Sequence, residues 1–219
     1  MRPGMRHGDH KEMAIFRRGT PVNSALDSWS TLVSRCYGRK MGLLRHYSHL
    51  ARYQLGAFSP LQAVHWGSVS RVVFVCKGNI CRSPYAEMKA RTMNLTSSSF
   101  GLDASCGAPA NIAAIKAALA RGIDISLHVA RTSDRVNLVR GDLLVAMESS
   151  QARVLRSVAP PAGVQVTLMG LWCTPPRPHI EDPFGLSDDY FNTCFSLIDD
   201  ALAGISAHMR ERDTVALPR

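Results

Sequence analysis

The chain has 219 residues, of which 46% are hydrophobic, 20% charged and 7% aromatic, with 16 glycines and 12 prolines. That length suits one large domain or an ordinary domain with an appendage, and the composition can bury a core, unlike that of a disordered, collagenous or coiled-coil chain. The longest apolar runs, such as 72–76 and 143–147, fall far short of the ~20 residues that cross a bilayer, which excludes a polytopic membrane protein.

A formal net charge of +9 points towards nucleic acid until the charge is located along the chain. Residues 1–70 carry ten Lys and Arg against three acids, whereas residues 71–219 carry 16 against 14. The excess therefore belongs to the leader. A nucleic-acid reader concentrates basic charge on its folded domain, so no nucleic-acid partner is expected. Six cysteines (Cys36, Cys76, Cys81, Cys106, Cys173 and Cys194) are too dispersed for a disulfide scaffold. The first thirty residues lack the apolar stretch of a secretory signal, and a reducing, cytoplasmic setting is the expectation. No paired Cys or His spacing completes a site with Cys76 and Cys81, so no metal is expected.

In chain order, residues 1–70 form a basic extension whose first forty residues read as disordered. Leu43, Leu44, Tyr47, Leu50, Ala51 and Leu55 then recur at helical spacing, with Arg45, His49 and Arg52 on the other side, which predicts an amphipathic helix over about 39–55. It reads as an appendage packed on the main domain, with a resting place on an anionic membrane as the alternative. Residues 71–210 alternate strand-like and helix-like segments. The β-branched run 71–76 is a strand buried on both faces, and Ser83-Pro84 opens a helix. Residues 100–105 make a weak second strand. Residues 110–120 are an Ala-rich helix stopped by Gly122, 142–147 a buried strand, 149–156 a helix and 165–169 a further strand. Phe191, Cys194, Phe195, Ile198, Ala201, Leu202 and Ile205 trace one face of a long final helix, with Ser187 as its candidate N-cap. Residues 211–219 are left as a tail. Strands alternating with helices predict an α/β protein, a parallel sheet covered on both faces in three α/β/α layers, with ligands at the carboxyl ends of the strands.

That rule directs attention to the segment after the first strand, Cys76-Lys77-Gly78-Asn79-Ile80-Cys81-Arg82-Ser83-Pro84. Loop N–H groups and a helix N-terminus suit a tetrahedral oxyanion. Gly78 permits the backbone to curl with positive φ, and Arg82 offers a planar fork matched to two phosphate oxygens. The same electropositive nest favours Cys76 as a thiolate nucleophile. A phosphocysteine route also needs an acid for the leaving oxygen and a base for water. Asp182, in Ile180-Glu-Asp-Pro-Phe-Gly185, is a loop carboxylate held extended by the following proline and able to overhang a pocket. An Asx turn ahead of the final helix is its simpler reading.

Together these residues resemble the low-molecular-weight protein tyrosine phosphatases of bacterial type. Gly122-Ile-Asp124, Ser126-x-His128-x-Ala-Arg131 and residues 142–148 fall in the family's order as well. The resemblance implies a Rossmann-like sheet of four parallel strands, a phosphate-cradling loop of Lys77, Gly78, Asn79, Ile80, Cys81 and Ser83, a cysteinyl-phosphate intermediate, and neither cofactor nor metal. It implies Cys76 as nucleophile, Arg82 as phosphate ligand and Asp182 as acid and then base, with Asn79 bracing the loop, Ser83 stabilising the thiolate and Phe184 walling the pocket. Its substrate would be a phosphotyrosine protein, with a bacterial tyrosine kinase of polysaccharide export as the guess. Lys77 departs from the usual apolar or small polar residue, and Gly185 from the second aromatic of eukaryotic members. Two alternatives stay open: a thioredoxin-coupled arsenate reductase on the same fold, relayed through Cys106 or a later cysteine, and a non-catalytic phosphate-binding module. Reversible pairing of Cys81 with Cys76 under oxidation also stays open.

Overall fold

The structure, a computed structural model, describes residues 22–158 and 161–215. Helices α1 (Val22–Tyr37), α2 (Lys40–Gln54) and the single turn α3 (Ser59–Gln62) precede an alternating body. The body runs β1 (Arg71–Cys76), α4 (Arg82–Thr92), β2 (Ser97–Gly101), α5 (Ile112–Leu119), β3 (Asp142–Ala146), α6 (Ser149–Ser157), β4 (Gln165–Leu168) and α7 (Asp188–Val215). The four strands form one parallel sheet in the order β2-β1-β3-β4, with Val72 opposite Ser97, Arg71 opposite Asp142 and Leu143 opposite Gln165. Chain direction across the sheet reverses between β1 and β3, so the crevice at their carboxyl ends is the ligand-binding position of such a fold.

Alternation along the strands splits the core into two layers. Val72, Phe74, Leu143 and Val145 face Tyr85 of α4, Ala114 of α5 and Phe191, Phe195 and Ile198 of α7. Val73, Val75, Leu144 and Ala146 face Ala152 and Leu155 of α6 together with Phe58 and Leu61. Each large apolar side chain so buried contributes roughly 1.5–3 kcal/mol. Tyr85 and Phe195 stack with their centroids 3.9 Å apart. Phe58 and Leu61 belong to the segment before β1, so the extension completes the second layer.

Several expectations are corrected. The second strand is Ser97–Gly101 rather than 100–105: its three serines lack an apolar signature, and it is the edge strand, where the hydroxyls of Ser97 and Ser99 serve neighbouring groups. The Ala-rich helix begins after Asn111, whose side chain accepts from the N–H groups of Ala113 and Ala114. The final helix continues to Val215, through what read as a tail; residues 216–219 lie outside the described residues. Of the forty leader residues expected to be disordered, 22–37 form α1, and 1–21 lie outside the described residues. Thr193 Oγ1 donates to Arg35 O at 2.7 Å and Arg177 Nη2 to Cys36 O at 2.6 Å, supplying partners for the carbonyls at the end of α1.

Helix α2 covers Lys40–Gln54, but its buried side is rotated part of a turn from the expected apolar face, with Leu43 and Leu50 half-buried. Leu44, Tyr47 and Leu55 are exposed, and it is Arg45, His46 and His49 that meet the body. Apolar periodicity finds the side that water dislikes; here a buried carboxylate, Glu181, attracts the basic side instead.

Candidate active site

Cys76 ends β1 and Arg82 begins α4, so strand and helix fix the two ends of the loop between them. The residue in the left-handed region is Asn79, with φ of 53°; Gly78, expected to supply that freedom, does not use it. Asparagine tolerates this conformation better than most residues, and its side chain is fully engaged here. Asn79 Oδ1 accepts from Arg131 N at 2.8 Å, which fixes the orientation of the amide. Asn79 Nδ2 then donates to both Ser83 Oγ and Ser99 Oγ, each at 2.8 Å. Each hydroxyl thus accepts from Asn79 and retains its own proton. Ser99 donates to Glu87 Oε2 at 2.6 Å. Ser83 Oγ lies 3.0 Å from Cys76 Sγ, and the N–H of Asn79 points at the same sulfur from 3.2 Å. Two donors therefore converge on Cys76 and stabilise negative charge there.

Arg82 is 1% exposed. Its Nη1 donates to Glu148 Oε1 at 2.8 Å and to Ile180 O at 2.9 Å, and Nη2 lies 3.0 Å from Asp182 Oδ2. Burial opposes its charge, but Asp182, Glu148 and Cys76 more than offset that cost, and its pKa is raised. Asp182 also makes the Asx contact that its position suggested, Oδ1 accepting from Phe184 N at 3.3 Å. The Asx contact occupies one carboxylate oxygen and leaves the other facing Arg82. Cys81 is held as a thiol: burial, then Asp182 and Cys76, push its pKa upward.

A pocket of about 210 Å3 opens over this group, lined by Cys76, Lys77, Gly78, Ile80, Cys81, Asp103, Asp182 and Phe184. Phe184 stands exposed at its edge. The structure thus brings every expected site residue to one place, with Asn79, Arg82 and Ser83 behind the pocket rather than in its wall. Sequence reading missed Asp103 in the wall, Glu148 behind Arg82, and the support formed by Glu87, Ser99, His128 and Arg131. His128 and Arg131 stood in a noted motif without a role; His128 Nε2 lies 2.9 Å from Asn79 O. Ser99 carried no signal at all. Among the described residues no group of three or more His, Cys, Asp or Glu side chains is placed to hold a metal ion.

A cysteine beneath donor groups, a buried guanidinium and an overhanging carboxylate define a cysteine-dependent phosphatase centre. The chain belongs to the low-molecular-weight phosphotyrosine protein phosphatase family, whose model matches residues 71–215. It is 33% identical over 132 residues to the low-molecular-weight protein-tyrosine-phosphatase Wzb of Salmonella typhi, covering 59% of this chain and 87% of that protein. Among solved structures it resembles Vibrio vulnificus Wzb in complex with benzylphosphonate (TM-score 0.55, 29% identity, 63% of this chain and 97% of that one). It also resembles Wzb of Escherichia coli K30 in complex with sulphate (TM-score 0.55, 25% identity, 68% and 99%). The expectations of a protein-tyrosine-phosphatase and of a Rossmann-like α/β fold are thereby met.

Proposed function

We propose that Cys76, Arg82 and Asp182 carry out phosphotyrosine hydrolysis in two displacements. Cys76 Sγ attacks phosphorus in line, the bond to the tyrosyl oxygen breaks, and Asp182 passes its proton to that leaving oxygen. Arg82 and the N–H groups of the loop from Lys77 to Arg82 hold the three equatorial oxygens as charge spreads over them. Asp182 then takes a proton from water as the water attacks the cysteinyl phosphate. Inorganic phosphate leaves and the bonding electrons return to Cys76. Ser83 and the Asn79 amide stabilise the sulfur as attacker and as leaving group, Phe184 walls the aromatic ring, and Lys77 adds positive charge at the rim.

The observation that carries this reading is the placement of Arg82, whose Nη2 faces Asp182 while Nη1 is anchored on Glu148 and Ile180. The rival arsenate route needs a relay cysteine, and two of the later cysteines, Cys173 and Cys194, are buried in the core. Cys76→Ser tests the assignment: turnover of phenyl phosphate should vanish while inorganic phosphate still binds. Arsenate turnover with thioredoxin that depends on Cys106 would overturn it.

The proposed protein substrate is an autophosphorylated tyrosine kinase of a bacterial polysaccharide export system, met in the cytoplasm. Six free cysteines agree with a reducing compartment, and no helix among the described residues is long and apolar enough to cross a membrane. Trp29, Leu44, Tyr47 and Leu55 are exposed on the basic extension. Such side chains beside Arg39, Lys40 and Arg52 suit contact with an anionic membrane surface.

A further inference from the structure

We infer that Arg39 and Arg45 of the N-terminal extension are positioning residues for the reaction, acting by gripping Glu181 and so setting the place of Asp182 over Cys76. The inference rests on Asp182 being the acid.

Glu181 is 4% exposed, although it lies in the irregular segment between β4 and α7. A buried carboxylate must be paired and hydrogen-bonded to stay charged. Its Oε1 lies 3.1 Å from Arg39 Nε and 2.9 Å from Arg45 Nη1, and its Oε2 lies 3.1 Å from Arg45 Nη1 and 2.9 Å from His179 Nε2. Both cationic partners come from the extension, at the cap and second turn of α2; the remaining partner is two residues away in the same segment. Burial works against the charge, yet the His179 and Arg45 bonds hold the Glu181 pKa down at about 2. Glu181 turns to α2 while its neighbour Asp182 turns to Arg82, so the side chain of one anchors the backbone of the other. At Gly42, a Cβ would come within 3.5 Å of Glu181 Cγ, which shows how closely the helix approaches.

A second contact from α2 falls beside the other carboxylate that holds Arg82. His49 Nε2 lies 2.9 Å from Ser149 Oγ, next in sequence to Glu148, and its ring stacks on His179 at 4.9 Å. The extension therefore grips the immediate neighbours of both Asp182 and Glu148. Neither Arg39 nor Arg45 reaches the pocket; they act through Glu181.

Transfer of a proton to the leaving oxygen matters most when that oxygen is a poor leaving group, so a displaced acid has a signature that a weakened fold does not. kcat/KM is measured for 4-nitrophenyl phosphate and for phenyl phosphate with the full chain carrying Arg45→Ala, Asp182→Asn or both. Arg45→Ala is expected to slow phenyl phosphate about tenfold more than 4-nitrophenyl phosphate, in line with the cost of a small misplacement of a catalytic group. In the Asp182→Asn background the same change should cost no more than about twofold, because the two act through one step. Arg45→Lys, which keeps the charge, should restore most of the leaving-group preference. Equal slowing of both esters by Arg45→Ala, or an undiminished effect in the Asp182→Asn background, overturns the inference while leaving the acid in place. Asp182→Asn slowing both esters alike overturns the acid assignment itself, and the inference falls with it.

Discussion

Arg82 Nη2 and Asp182 Oδ2 lie 3.0 Å apart, so the cation proposed to receive phosphate and the carboxylate proposed to supply the proton share an ion pair. An entering phosphate dianion competes with Asp182 for the same guanidinium. Replacing the carboxylate by a neutral amide removes that competitor and a like charge, both of which oppose the ligand. Asp182→Asn should therefore bind inorganic phosphate several-fold more tightly while hydrolysing phenyl phosphate about 10²–10⁴-fold more slowly. Inhibition constants for phosphate beside kcat for both forms check this; unchanged or weaker phosphate inhibition would remove the competition from the account.

The pocket also depends on a residue with no polar atom in its side chain. Gly101 ends β2 directly beneath the loop, where a Cβ would meet Lys77 O at 2.6 Å and Asn79 N at 2.9 Å. Both are backbone atoms and cannot rotate away. Gly101→Ala must push the loop by several tenths of an ångström, moving the Asn79 amide relative to Cys76 Sγ. The expected result is a fall in kcat/KM of about 10²-fold with a loss of stability of about 1–3 kcal/mol. Denaturation and kinetics on the same sample separate the two effects; full activity would show that the loop can yield.

Residues of the loop were legible in the sequence because they are contiguous and bounded by a strand and a helix. The alternation of elements likewise fixed the parallel body. What could not be read was support that arrives from a distance. Ser99, Glu87, His128 and Arg131 meet Asn79 or one another only after β2 pairs with β1 and the segment after α5 folds across. Helix α2 was legible in extent and only partly in orientation: Leu43 and Leu50 turn inward as expected, but apolar spacing is blind to a buried glutamate more than a hundred residues later. Helix α1 had Trp29, Val33 and Cys36 at helical spacing, but only Val33 among these is deeply buried.

Acid should loosen the junction between the extension and the body. His46 Nδ1 is buried without a partner, and burial first, then the nearby charges of Arg177, His179 and His49, lowers its pKa from 6.5 to about 4. As pH falls below 6.5 the unfolded chain takes up this proton while the folded chain resists it. Stability is therefore fully present above that pH and is lost progressively down to about 4. With a discount for its partly solvated ring, the loss between pH 7 and pH 5 is about 1 kcal/mol. Urea denaturation at both pH values should show His46→Gln losing less stability than the parent by that amount. Equal losses would assign the acid sensitivity to other groups.

Ser99 tests whether the support behind the loop acts on the sulfur. Its Oγ accepts from Asn79 and donates to Glu87, which is also paired with Arg91 and Arg131. Ser99→Ala leaves one Asn79 N–H without a partner in a buried site, a cost of about 1–3 kcal/mol, while Glu87 Oε2 keeps Arg131. The amide keeps Arg131 N and Ser83 Oγ but is held less firmly without Ser99, and the bond that directs the Ser83 proton to Cys76 weakens. Less charge stabilisation on sulfur should appear as slower alkylation of Cys76 by iodoacetate at neutral pH, together with a several-fold drop in kcat/KM. Ser99→Thr keeps the hydroxyl on a β-branched side chain suited to a strand and should recover both. If Ser99→Ala loses stability but alkylates at the parent rate, the network holds the loop in shape and has no electrostatic role at the nucleophile.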